Sequence, residues 1–99
     1  MGLGVNRGLA QLDQRAWNEW AHMRLLAAEK LLLKKEERLT GQARVLEPIA
    51  ARTEPYPLPR LPNGRLTSVP KANASLLHVR KQLSSVIAQR QGVQARLGR

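Results

Sequence analysis

The chain has no cysteine and no phenylalanine. The first absence removes a disulfide scaffold, thiolate metal ligation and a cysteine nucleophile together, and says nothing about compartment. Aromatic residues make up 3% of the chain, as Trp17, Trp20 and Tyr56. The side chains that bury the most area per residue are therefore nearly missing from any core. Long apolar runs are missing too. The longest is Leu25-Leu26-Ala27-Ala28, followed by Leu31-Leu32-Leu33, against the about 20 apolar residues that a membrane span requires. The N-terminus lacks a secretory hydrophobic region. Met1-Gly2 raises N-myristoylation, but that motif requires Ser or Thr at position six, where Asn6 stands. Acids are scarce as well: seven against seventeen Lys and Arg leave a net charge of +10. Such a balance predicts attraction to nucleic acid, anionic lipid or an acidic protein surface.

Catalytic groups that converge are also lacking. His22 and His78 are far apart in sequence, with no third ligand at metal-site spacing. Glu36-Glu37 is the one adjacent acid pair, and neighbouring helix residues point in different directions. It follows Lys34-Lys35, which reads as a solvated charged surface. No GxxxxGK[ST], GxGxxG or GxSxG occurs. The expectation is a protein without enzymatic activity, cofactor or metal.

What the chain does have is proline in its middle. Pro55, Pro57, Pro59 and Pro62 fall within residues 52–64. Each proline fixes φ and removes a donor, and each biases the preceding residue towards extended geometry. Residues 54–62 are expected as a polyproline-II-like strap. Asn63-Gly64 then supplies a turn, since both residues tolerate positive φ.

Around the strap the organisation is an irregular N-terminus over 1–8 and a long helix over 9–41. The proline-rich segment with its turn takes 42–72, and a C-terminal helix with a frayed end takes 73–99. The long segment is rich in Ala, Leu, Glu, Lys, Arg and Gln, all good helix formers, and Thr40-Gly41 is its expected stop. The second helix is expected near Asn73, with Asn73 or Ser75 as N-cap. Leu76, Val79, Leu83, Val86 and Ile87 form its apolar stripe. The fold class is therefore mostly α and non-globular: a long N-terminal helix, an extended proline-rich strap and a shorter C-terminal helix.

The long helix carries two adjacent apolar faces. Ala16, Trp20, Met23, Ala27 and Leu31 follow one, and Trp17, Ala21, Leu25, Ala28 and Leu32 the other. Together they are wider than a coiled-coil seam and predict contact with more than one neighbour. An interior this small does not readily take two indoles, so Trp17 and Trp20 are read as partner anchors in preference to core.

Arg52-Thr53-Glu54-Pro55-Tyr56-Pro57 and Leu61-Pro62-Asn63-Gly64 together resemble a stretch in the subunit 7 family of the alpha subcomplex of mitochondrial complex I. Arg15-Ala16-Trp17 with His22 loosely echoes an Arg-x-Trp segment of that family. The match covers about thirteen residues and needs a small insertion within the strap. Leu76-Leu77-His78-Val79-Arg80-Lys81 stands where the family has a tyrosine-containing basic segment. The resemblance implies a non-catalytic structural accessory subunit on the matrix side of the inner membrane, in the matrix arm of complex I. Its own side chains would hold no flavin, iron–sulfur cluster or quinone.

On this reading the partners are protein subunits of a large complex. Trp17, Trp20, Met23 and Leu31 dock the helix. Thr53, Pro55, Pro57, Leu61, Pro62 and Gly64 track a groove, and Arg52, Arg60 and Arg65 pair with partner carboxylates or carbonyls. Two other readings remain open. The charge suits a peripheral organellar ribosomal protein bound to rRNA, although the basic residues are not clustered and no stacking platform is present. It equally suits a small protein bound to acidic tubulin in cilia.

Overall fold

The computed structural model describes residues 14–99 with their side chains. Two helices, α1 (Gly2–Ala50) and α2 (Val69–Arg96), form an elongated hairpin measuring 83 × 22 × 17 Å. The expected irregular residues 1–8 and the start of the first helix lie outside the described residues.

The helices run antiparallel in a fixed register. Arg80 pairs with Glu47, Arg90 with Glu36 and Arg99 with Glu29, so each step up α2 is matched by a step down α1. The contact surface of α1 is Glu29, Leu32, Glu36, Leu39, Ala43, Leu46 and Ala50, a strict alternation of three- and four-residue steps. Its counterpart on α2 is Ala72, Leu76, Val79, Leu83, Val86 and Arg90, with the same alternation. This seven-residue repeat is the seam of a two-stranded coiled coil. Leu39, Ala43, Leu76, Val79 and Val86 are buried in it, with Leu32, Leu46, Ala50 and Leu83 packed alongside. A single seam of Leu, Val and Ala supplies the whole core, which is why a chain without phenylalanine folds here.

Thr40-Gly41 does not stop α1. The Thr40 hydroxyl donates to the Glu36 carbonyl at 2.8 Å, and Gly41 is an exposed helical residue. A mid-helix glycine costs about 1 kcal/mol, and the seam contacts of Ala43, Leu46 and Ala50 beyond it outweigh that. The helix ends instead just past Pro48, where Ala51 and Arg52 bond back to the Glu47 and Ile49 carbonyls.

The second helix also starts earlier than expected, at Val69 rather than 73. Its N-cap is Ser68, whose hydroxyl accepts from the Lys71 amide at 3.3 Å, not Asn73 or Ser75. Pro70 sits in the first turn, where its missing N–H costs nothing. Ser68→Ala should therefore lower stability by about 1 kcal/mol, read as a drop in the urea midpoint, whereas Ser75→Ala should leave it in place.

The end of α2 is not frayed. Gly98 adopts φ 79°, its amide bonds the Ala95 carbonyl at 3.1 Å, and the Arg99 amide bonds the Gln94 carbonyl at 2.9 Å. This is a Schellman cap. It aims the Arg99 side chain back across α1 to Glu29.

The connector, residues 51–68, is irregular and contains no strand. It does not run as one polyproline-II stretch over 54–62. The Tyr56–Pro57 peptide is cis, and residues 59–67 double back through an isolated bridge between Arg60 and Leu66. The turn at its tip is Leu61-Pro62-Asn63-Gly64, closed by Gly64 N–H donating to the Leu61 carbonyl at 2.9 Å. Gly64 has φ 84°, as the Asn-Gly pair predicts.

Candidate docking surface

Because α2 ends opposite Glu29, most of residues 14–28 of α1 project beyond it as an arm. An α-helix turns about 100° per residue. Ala16, Trp20, Met23, Ala27 and Leu31 therefore lie on the side of α1 facing away from the seam, and this outer face stays uncovered. Met23 and Leu31 are each 67% exposed, Trp17 is 61% and Trp20 is 47%. Neither indole fills a core. The other predicted face divides: Trp17 is exposed, whereas Ala21, Leu25, Ala28 and Leu32 are half-buried, and Leu32 packs against the seam. The wide apolar surface read from the sequence is thus two surfaces, one for α2 and one without an occupant.

The outer face has local order of its own. Trp17 and Trp20 lie with ring centroids 5.0 Å apart at 35°, and the Arg24 guanidinium stands 4.8 Å over the Trp20 ring. Such contacts hold the rings in place while they are still solvated, which lowers the ordering cost of binding.

Three acids of α1 face α2, while its remaining surface is mainly basic, with Glu19 and Glu37 as exposed acids. Glu29, Glu36 and Glu47 are committed to α2 by their arginine partners. Arg24, Lys30, Lys34, Lys35 and Arg38 are exposed on the remaining surface. The inward acids sit in polar networks. Arg90 donates to both Glu36 oxygens and to Gln94 Oε1. Glu29 is buried, with Oε1 2.8 Å from Arg99 Nη1 and Oε2 without a partner among the described residues. Glu36, which the sequence presents with Glu37 as solvated surface, is instead half-buried by α2 against Arg90, and Glu29, Arg90 and Arg99 were not singled out. The signal was present in the step pattern from Glu29 to Ala50, where two acids hold seam positions and disguise the repeat.

The connector residues divide. Arg52 and Arg60 do not reach outwards; they donate to the Pro57 carbonyl at 3.1 Å and the Gly64 carbonyl at 2.9 Å and so staple their own loop. Thr53, Pro55, Pro57, Pro62, Gly64 and Arg65 are exposed. Leu61 turns inward and, with Val45, Leu46 and Val79, lines an open cleft of about 950 Å³ between the loop tip and both helices, with Arg38 and His78 among its polar lining. The loop residues and the tryptophans are not brought together. They occupy opposite ends of the hairpin.

Among the described residues no cluster of three or more His, Cys, Asp or Glu is placed to hold a metal ion. No described helix is long and apolar enough to cross a membrane. None of the family models, curated proteins and solved structures compared with this chain matches it.

Proposed function

We propose that this chain is a non-catalytic structural subunit that braces a larger protein assembly, docking through the outer face of α1. One observation carries the reading. The largest apolar side chains of the protein, Trp17, Trp20, Met23 and Leu31, are displayed on a helix that its own second helix leaves uncovered. Tryptophan and arginine are the residues that most often dominate binding energy at protein interfaces, and Arg24 is stacked on Trp20. The hairpin anchors the arm that carries this face, and the exposed connector residues offer a second contact at the far end.

The leading candidate for the assembly is the matrix-side arm of mitochondrial complex I. Its support is the resemblance of residues 52–57 and 61–64 to the accessory-subunit family. Cross-linking mass spectrometry on native organelles tests both levels. Links from Lys30, Lys34 or Lys35 to subunits of one large complex, together with comigration on native gels, are the expected result. Links to ribosomal proteins, lost on RNase treatment, would move the chain to the ribosomal reading. Migration as a free small protein would end the accessory reading altogether.

A further inference from the structure

The outer stripe of the arm is self-complementary. Ala16, Trp20, Met23 and Ala27 follow one another at steps of four, three and four residues. In either direction the order is small, large, large, small. Laid antiparallel on a copy of itself about the point between Ala21 and His22, the stripe sets Trp20 opposite the copy's Met23 and Ala16 opposite the copy's Ala27. The bulky residues meet in the middle and the alanines let the two backbones close at the ends. A thioether against an indole is a favourable contact. Matching of a patch with itself is what a two-fold interface requires.

Charge points the same way. Apart from His22, residues 14–28 carry only Arg15, Glu19 and Arg24 as titratable groups, whereas the whole chain carries +10. The arm's two arginines against one glutamate leave little repulsion between copies, the same alignment sets Glu19 opposite the copy's Arg24, and the excess of lysine and arginine lies beyond the arm. The second helix leaves room, because it packs on the other side of α1 and ends against Glu29.

We infer that the occupant of the arm is a second copy of this chain, bound antiparallel across Ala16–Ala27. This rests on the reading that the outer face of α1 is the docking surface, and it names what docks there. The result is an elongated two-fold dimer with its hairpins pointing apart. Lys34, Lys35, Arg38 and the connector of each copy remain for the larger assembly. Fifteen helical residues per arm span about 22 Å, so the interface is small beside the about 1,200–2,000 Å² of standard ones. Micromolar association is the expected strength.

Sedimentation of the purified full chain tests this. The mass should rise with concentration from 11.1 kDa towards twice that value. Trp20→Glu should weaken association about tenfold or more while circular dichroism stays unchanged, because Trp20 lies outside the seam. Geometry is read separately, using the absence of native cysteine. Ala16→Cys mixed with Ala27→Cys should link through a short bismaleimide, and neither variant should link efficiently alone. A chain that stays monomeric at high micromolar concentration overturns the proposal, as does efficient linking within Ala16→Cys alone. A blue shift of tryptophan emission on phosphatidylglycerol vesicles by a monomeric chain would overturn it in favour of an anionic lipid surface. A monomer that still cross-links into a large assembly would sink the dimer and leave the accessory function standing.

Discussion

Leu39→Ala should remove about 2–5 kcal/mol of folding stability, a large share of the total. A chain of this size typically has only about 5–15 kcal/mol in total, and here one narrow seam supplies it. Leu39 is 1% exposed, the one large side chain fully enclosed among the described residues, and it packs among Ala43, Leu76, Val79 and Val86. The cavity left by alanine lies between two helices whose register the ion pairs fix, which limits collapse around it. Urea denaturation followed by circular dichroism measures the effect. Leu31→Ala is the control: Leu31 is 67% exposed on the outer face, and its loss should change stability by no more than about 0.5 kcal/mol. Equal losses for the two variants would mean that the seam is not where the stability resides.

The second large effect is expected at the Glu36–Arg90 pair. Their side chains are only 24% and 20% exposed, and they face each other inside the seam. Arg90→Met alone should cost about 2–3 kcal/mol, because it strands the Glu36 carboxylate in a partly desolvated site. The double variant Glu36→Leu with Arg90→Met should recover most of that loss or exceed the parent, since apolar residues at those positions complete the repeat. The ordering of the three denaturation midpoints is the readout. A double variant as unstable as the single one would show that the pair contributes net stability. The Arg80–Glu47 bridge is a useful contrast, since both side chains are more than half exposed and an exposed pair contributes about 0–1 kcal/mol.

These two sites also show where sequence reasoning succeeded and where it stopped. Helix propensity between residues 15 and 38 was plain, because Ala, Leu, Glu, Lys, Arg and Gln all favour that state. The Asn63-Gly64 turn was plain for the same local reason. Boundaries that depend on long-range contacts were not. Thr40-Gly41 has the chemistry of a helix end, and only the partner surface of α2 carries the helix past it. Pro70 reads as a terminator until Ser68 is recognised as the cap two residues before it. The coiled-coil repeat was hidden because Glu29, Glu36 and Arg90 occupy positions that normally read apolar. They look like solvated surface residues until the opposite helix is present.

The candidate surface divides in the same way. That Trp17 and Trp20 stay out of the core was legible, since a chain this small has little interior for two indoles. That Arg52 and Arg60 bond to their own loop could not be read from composition. It depends on the chain doubling back at residues 59–67.

A seam with a seven-residue repeat matches itself again after a slide of seven residues, so several alignments of α2 on α1 compete for nearly the same apolar contact. The acids of α1 lift that degeneracy because they are unevenly spaced, seven residues from Glu29 to Glu36 and eleven from Glu36 to Glu47. Sliding α2 by one repeat towards the arm brings Arg90 to Glu29. It takes Arg99 to the level of His22 and Arg80 to the level of Thr40, leaving Glu36 and Glu47 without their cations. One alignment satisfies all three arginines and its neighbours satisfy one. The ion pairs thus select among alternative pairings more than they deepen any one of them. A chain that carries Glu29→Leu and Glu47→Gln as well as Glu36→Leu with Arg90→Met loses all three pairs, and it is expected to show more than one set of amide resonances.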